Sequence, residues 1–235
     1  MRNQSGFSLI ELIIIILLVA ILAVFAVDGI NSANIAHNER SASATLKGFV
    51  TAQTNFHGAD CDGNGKKDYY IGDVSGLYRM CTPAVSAATV EPIKLIEISV
   101  AQADGRPIQT LTTSGDVVMG AITRTFRSMQ SGFSPKEYYV FQVVEEYEAT
   151  GAVATSYNEA DQRHTERFGF ITYPNVYGRG GKKIFIVNES GSVFAKDPNG
   201  SILQSGSPSN GDARLNATYR IFPVKPYAGK FDKPD

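Results

Sequence analysis

A run of nine residues near position 60 has the spacing of a metal-binding loop. Four oxygen-bearing side chains stand at positions 1, 3, 5 and 9 of this run: Asp60, Asp62, Asn64 and Asp68. Position 6 is Gly65, which permits a sharp turn, and position 7 is Lys66, whose backbone carbonyl would face inward as in an EF-hand calcium loop. The spacing predicts a structural Ca²⁺ held by these four side chains and the Lys66 carbonyl.

The same run has a simpler interpretation. Position 12 is Ile71, where an EF-hand has a bidentate glutamate, and Asp73 stands two residues further on. Asp and Asn side chains in Gly-rich turns also accept hydrogen bonds from nearby backbone N–H groups, with no metal. Outside the cytoplasm, even a weak site with a Kd of about 10⁻⁴ M would be filled. Both interpretations stay open at this point.

The chain has two cysteines, Cys61 and Cys81. In an oxidising compartment a disulfide between them would close a loop of about twenty residues, worth about 3 kcal/mol in the chain-entropy model. We predict this disulfide. The alternative is two free thiols.

Glu11 is a charged residue inside an apolar run. From Phe7 to Val27 the only other polar side chain is that of Ser8. As a helix this run would be about 30 Å long, which is the thickness of the hydrocarbon core of a bilayer. A carboxylate there costs about 2.5–3.5 kcal/mol on insertion scales, so a partner is expected. If the chain were cut after Gly6, the new α-amine of Phe7 in a neighbouring copy could pair with Glu11 and set the axial offset between copies.

The segment Gly6-Phe7-Ser8-Leu9-Ile10-Glu11-Leu12, with its short basic leader and the apolar run behind it, resembles the class III signal of type IV pilins and pseudopilins. The resemblance implies that a prepilin peptidase cuts between Gly6 and Phe7, that Phe7 is N-methylated, and that Glu11 serves assembly. It also implies three protein partners, namely the peptidase, the inner-membrane assembly machinery, and copies of the chain itself or other pilins in a filament.

A looser resemblance to large-headed pilin-like proteins extends over 60–77, Tyr138-Tyr139 and 168–197, and it implies no activity. Two alternatives compete with the pilin signal. A secretory signal would have a shorter apolar core of about 7–15 residues, although Ala23 to Ala26 loosely fits its cleavage site. A plain membrane anchor would leave Glu11 unexplained. Arg2 predicts a cytoplasmic N-terminus, so the chain would cross the inner membrane once, in contact with its lipid, with everything after Val27 extracytoplasmic.

Composition excludes some functions. The 235 residues carry 22 basic and 23 acidic side chains, so no nucleic-acid partner is expected. His37, His57 and His164 are far apart in sequence. The Gly178–Lys183 segment lacks the spacing of a phosphate-binding loop, and no Gly-x-Ser-x-Gly elbow is present. We therefore predict no enzyme activity and no cofactor apart from calcium.

The expected fold is α+β, with a long N-terminal helix packed on an antiparallel sheet, as in type IV pilins. The expected organisation is a leader at 1–6, a transmembrane helix at 7–27, an amphipathic continuation at 28–57 and a globular head at 58–235. Apolar residues recur every three or four positions along the continuation, at Ile35, Ala42, Leu46, Phe49, Val50 and Phe56. Patterning further predicts strands at 92–103, 137–147, 167–173, 182–188 and 192–196, and a helix at 116–129 capped by Ser114. It predicts a polar linker at 150–163 and a loop-rich tail from 197.

These features predict a structural subunit of a type IV pilus or of a type II secretion pseudopilus, with major and minor roles both open. The size of the head favours a minor or pseudopilin role. The alternative is a membrane-anchored extracytoplasmic domain that binds a ligand and does not polymerise. An anchored enzyme has no support in the sequence beyond the size of the head.

Overall fold

The computed structural model describes residues 8–81, 91–119, 122–129, 132–144, 146–148, 154–156, 161–200 and 221–222. The expected architecture is present: one long N-terminal helix, α1 (Leu9–Ala59), lies beside a β-rich head. At 1.5 Å per residue its 51 residues span about 75 Å. Asp60 ends α1 in the left-handed conformation (φ 47°, ψ 55°), and its N–H donates to the Phe56 carbonyl.

The C-terminal half of α1 packs on the head through one apolar stripe. Its buried members are Ala42, Leu46, Phe49, Ala52 and Phe56, at spacings of three and four residues. The predicted Ile35 and Val50 are half-buried at the edge of this stripe. The stripe also holds a buried polar residue that the pattern did not indicate, Gln53, whose side chain bonds both the N–H and the carbonyl of Tyr70.

The stripe lies against a four-stranded antiparallel sheet. Its strands, in spatial order, are β10 (Val193–Lys196), β9 (Ile184–Asn188), β8 (Gly169–Pro174) and β4 (Tyr139–Val143). β4 and β8 are buried along their whole length. The sequence predicted a central strand at 137–147, but β4 lies at the edge of this sheet, and other parts of the head bury its outer face. Phe49 of α1 joins the two layers, with its ring 4.7 Å from that of Phe170 and 5.6 Å from that of Phe141. Gly191, at φ 72°, closes the predicted β9–β10 hairpin.

Two sequence predictions in the head are wrong. The predicted helix at 116–129 is absent from the described residues of this segment, because β2 (Gly115–Met119) and β3 (Ile122–Phe126) pair there as antiparallel strands. The β-branched Val117, Val118, Thr123 and Thr125 favour this extended pairing, which outweighs the helical spacing of the apolar residues. Residues 92–103 are not a strand either. They end in the single-turn helix α3 (Ile98–Gln102), which buries Val100 and Ala101.

The remaining elements are short and surround the main sheet. β1 (Tyr69–Tyr70) pairs with β7 (Arg163–His164), and α2 (Gly76–Arg79) follows β1. β5 (Glu146–Glu148) pairs with β6 (Ala154–Ser156) and with β11 (Ile221–Phe222), the latter in parallel. The predicted 150–163 linker thus contains strand β6 and the first residue of β7, and the predicted loop-rich tail contributes β11. Most of that tail lies outside the described residues.

Candidate functional site

The N-terminal half of α1 is an apolar surface that the described head does not cover. Its large apolar side chains, from Leu9 to Val27, are 45–75% exposed. The first polar contacts between α1 and the head occur much further along. Asn38 Nδ2 donates to the Gly180 carbonyl at 2.9 Å, and Glu39 Oε1 accepts from the N–H groups of Lys182 and Lys183 at 2.9 and 3.2 Å. About 40 Å of helix therefore extends beyond the head.

Among the described residues, α1 is the one helix that is long and apolar enough to cross a membrane. Its apolar window is not buried against any part of the described chain. Exposed apolar area on this scale marks a surface that contacts lipid or another protein.

Glu11 lies in the first turn of this exposed half. Its Oε2 accepts a hydrogen bond from the Ser8 N–H at 2.9 Å, and Ser8 is extended (φ −73°, ψ 141°) immediately before the helix. This contact is the glutamate half of a capping box, so the single chain already satisfies one donor at the start of α1. Gly6 and Phe7 lie outside the described residues, and the pairing of Glu11 with a Phe7 amine stays a prediction.

The predicted calcium loop is compact and is closed by its own hydrogen bonds. Asp60 Oδ1 and Oδ2 accept from the N–H groups of Asn64 and Gly65, both at 3.0 Å. Asn64 Oδ1 accepts from the Lys66 N–H at 2.7 Å. Asn64 Nδ2 donates to Asp62 Oδ2 at 3.1 Å and to Asp68 Oδ2 at 3.0 Å. These bonds belong to the Asx-rich turn that was the alternative interpretation.

Two arginines from distant strands also reach this loop. Arg163 of β7 donates from Nε to Asp62 Oδ2 at 2.7 Å, and Arg124 of β3 donates from Nη2 to the same oxygen at 3.1 Å. Arg163 Nε lies 3.7 Å from Asp68 Oδ1. Neither arginine was singled out from the sequence, because they stand 62 and 101 residues away from Asp62 along the chain.

The pKa values of three side chains in this cluster, Asp62, Asp68 and Arg124, are shifted in the folded head. Burial disfavours the ionised Asp62 carboxylate, but the Arg163 and Arg124 guanidinium groups outweigh burial and lower its pKa. The pKa of Asp68 is raised, chiefly by burial, although the Asn64 hydrogen bond opposes this shift. Burial, followed by repulsion from Arg163, lowers the pKa of Arg124. Within the described residues, no three His, Cys, Asp or Glu side chains form a group that could hold a metal ion. Calcium itself stays a prediction.

The predicted disulfide between Cys61 and Cys81 is wrong, and both cysteines are free thiols in the structure. The half-buried Cys61 follows the end of α1, and its Sγ lies 3.8 Å from the Asn55 carbonyl. Cys81 is buried beside β3, where its N–H donates to the Thr125 carbonyl and its Sγ lies 3.7 Å from the Arg79 carbonyl. The two thiols are thus directed to different backbone groups. Burial is the first cause that raises the pKa of each thiol, so both favour the unreactive thiol form.

A second buried carboxylate cluster was not found from the sequence. Asp73 accepts hydrogen bonds from the Tyr70 hydroxyl (2.7 Å) and from the Gly76 N–H (2.8 Å), and Asp104 accepts from the Ser75 N–H (2.7 Å). Burial and the nearby Asp73 raise the pKa of Asp104 to about 8. The pair connects the α2 region to the 104–108 loop, since Asp73 also accepts from the Ile108 N–H at 2.9 Å.

Comparison with known families agrees with the N-terminal geometry. The family model described as the prokaryotic N-terminal methylation motif matches residues 1–27. A second model, a protein of unknown function (DUF2950), matches residues 102–203 and carries no functional information. Neither a curated protein nor a solved structure matches the chain significantly.

The N-terminal segment therefore carries a methylation motif of the type IV pilin and pseudopilin kind, which supports processing of the chain as a pilin-like substrate of prepilin peptidase. The apolar half of α1 is its membrane anchor.

Proposed function

We propose that this chain is a structural subunit of a type IV pilus or a type II secretion pseudopilus, without enzymatic activity of its own. The observation that carries the proposal is the combination of the methylation motif with an apolar half-helix that the head leaves uncovered. In the precursor this half-helix crosses the inner membrane once. The N-terminus is cytoplasmic and the head extracytoplasmic, in keeping with the basic residue of the leader.

Assembly exchanges lipid contacts for contacts between helices. Peptidase cleavage after Gly6 gives Phe7 a positively charged amine, which is then N-methylated. In the filament, Glu11 of one copy pairs with that amine on its neighbour. The pairing neutralises two groups that are costly in an apolar environment, and it sets the axial register between copies. The heads face outward, because the half of α1 from Leu9 to Val27 is left exposed and the head packs on the later half.

The assembly experiment compares Glu11→Ala with Asp28→Ala, which removes the acidic residue just after the apolar run. We expect Glu11→Ala to insert in the membrane with a folded head but to be lost from sheared filaments. Asp28→Ala should assemble like the parent chain. Incorporation of Glu11→Ala at the parental level would contradict the register mechanism.

Processing is tested separately by the mass of the N-terminal peptide from membranes or filaments. A chain that starts at Phe7 with one added methyl group is expected. A chain that starts at Met1, or is cut beyond Ala23, would refute the pilin pathway.

A second candidate is a membrane-anchored domain that binds a ligand, and one cavity favours it. A cavity of about 640 Å³ lies between α1 and the 94–100 segment. Small residues of α1 line one wall, and an ion pair between Lys136 and Glu97 (2.9 Å) lies beside it. Replacing Gly48, in that wall, with Leu would place a bulky side chain in the cavity and narrow it. If filaments still assemble with Gly48→Leu but ligand binding by the head is lost, the cavity is a binding site.

A further inference from the structure

We infer that two guanidinium groups of this chain, those of Arg124 and Arg163, occupy the position of the cation in the calcium-type loop at 60–68. The loop therefore closes without a metal ion. This inference does not depend on the pilin function proposed above. It opposes the calcium predicted from spacing alone, and it rests on contacts that spacing cannot show.

The first support is that the carboxylate of Asp62, the central side chain of the loop, already accepts several hydrogen bonds. Asp62 Oδ2, at position 3 of the loop, receives Arg163 at 2.7 Å, Arg124 at 3.1 Å and Asn64 Nδ2 at 3.1 Å. Its other oxygen, Oδ1, faces the Asn64 N–H at 3.4 Å. Both oxygens of Asp60 and the side-chain oxygen of Asn64 accept backbone N–H groups. A calcium ion would have to displace or share most of these donors.

The second support is charge. The buried part of the cluster contains two carboxylates, Asp62 and Asp68, and two guanidinium groups, Arg124 and Arg163. Their formal charges cancel. A divalent cation would leave this buried group at +2 and would lie close to both guanidinium groups, where repulsion is only weakly screened. Asp60 and Asp161 are half-buried at the rim and are partly solvated, so they offset only part of that charge.

The third support comes from the atoms left without hydrogen bonds. In this cluster they are one acceptor, Asp68 Oδ1, and one donor, Arg124 Nε. A loop that had lost its metal would present several unsatisfied oxygens and no unsatisfied donor. Here one acceptor and one donor lack a hydrogen bond, so the cluster has no excess of unsatisfied oxygens for a further cation to bind.

The fourth support is that Arg163 is held in place by groups other than the loop. Its backbone pairs with that of Tyr70 in the antiparallel β1–β7 strand pair. Its guanidinium lies 4.7 Å from the Tyr70 ring centroid and 5.2 Å from that of Phe56. Cation–π contacts of this kind are strongest where the cation is desolvated, and Arg163 is 1% exposed. The guanidinium is thus a built-in part of the core and is not a side chain that an ion would push aside.

The experiment is a calcium titration of the full-length chain in detergent micelles. Binding is followed by Tb³⁺ luminescence sensitised by the neighbouring Tyr70, with Ca²⁺ as competitor, and stability by the Tm of the head in millimolar CaCl₂ or in EGTA. For the parent chain we expect no saturable Tb³⁺ signal and no difference in Tm. Saturable binding that calcium reverses, or a Tm that EGTA lowers, would overturn the inference.

Two variants test the position of the guanidinium groups. Arg124→Gln removes one positive charge at the partly exposed edge of the cluster, and Arg163→Gln removes the central one. We expect each folded variant to gain Tb³⁺ binding, and millimolar calcium to raise the Tm of Arg124→Gln by about 3–6 °C if the new site has a Kd near 10⁻⁴ M. Arg179→Gln, at an exposed position far from the loop, is the control and should gain neither. If Arg124→Gln folds and still shows no calcium effect, the guanidinium groups do not occupy the cation position, and the inference fails.

Discussion

The two halves of helix α1 are continuous in backbone and opposite in environment. The half before Asp28 buries none of its large apolar side chains in the described structure, whereas the half after Asn38 buries a stripe that ends at Phe56. The first half is apolar on every side, and the second half is apolar on one side only.

The distribution of apolar residues around each half of α1 indicates which contacts stabilise that half. A helix that is apolar all round is stable only when lipid or other helices surround it. A helix with one apolar stripe is satisfied by a single sheet of its own chain. The first half is therefore suited to contacts with lipid or other helices, and the second half fixes the described head to α1. Substitutions on the two halves should have separable effects on assembly and on head stability.

The largest expected effect on head stability comes from Phe49→Ala. The Phe49 ring lies between Phe141 and Phe170, so its removal leaves a cavity and should destabilise the head by about 3–5 kcal/mol. Ile16→Ala, on the exposed half, is the control and should leave the unfolding of the head unchanged. The measurement is denaturant unfolding in micelles, followed by tyrosine fluorescence. Equal losses from both variants would mean that the two halves are not independent.

A smaller effect is expected from Gln53→Ala in the head-bound half. Its amide satisfies both backbone groups of Tyr70, which are buried, and their desolvation without a partner should cost about 1–3 kcal/mol. Asn55→Ala, two residues along on the exposed side of α1, should cost far less. The same unfolding experiment compares them. A loss below about 0.5 kcal/mol for Gln53→Ala would show that water replaces the amide.

A pH-dependent effect is expected from the acid pair in the head. The pKa of Asp104 is about 8 in the folded head and close to 3.8 when unfolded. Between these values the folded state binds more protons, so stability should fall as pH rises from about 4 to 8, by at most about 1.4 kcal/mol per pH unit for one proton. Asp104→Asn should flatten this dependence, whereas Asp116→Asn on the exposed β2 should not. Parallel Tm–pH curves for parent and Asp104→Asn would contradict the assignment.

The local sequence pattern was sufficient to predict the elements in which neighbours in sequence are also neighbours in space. The apolar stripe of α1, the strand β4 and the β9–β10 hairpin were all predicted from spacing and turn residues, and the structure contains each of them, although β4 lies at the edge of its sheet and not at the centre. The strands β2 and β3 were missed because their apolar residues fit helical spacing, and the pairing of β2 with β3 overrode that signal. The Asp73–Asp104 pair joins residues about thirty positions apart, and nothing local marks it.

The first 27 residues determined by themselves that this chain carries a pilin-type signal and a membrane anchor. That was possible because the methylation motif is recognised by the order of its residues along one short segment, and the apolar run by its length and composition. Tertiary structure alone decided what surrounds the calcium-type loop. Arg124 and Arg163 reach Asp62 from strands β3 and β7, and such long-range pairs depend on how the sheets pack and not on any spacing near Asp62. The physical reason is that a helix is specified by contacts three or four residues apart, whereas a buried charge must be balanced by whichever group the whole fold brings beside it.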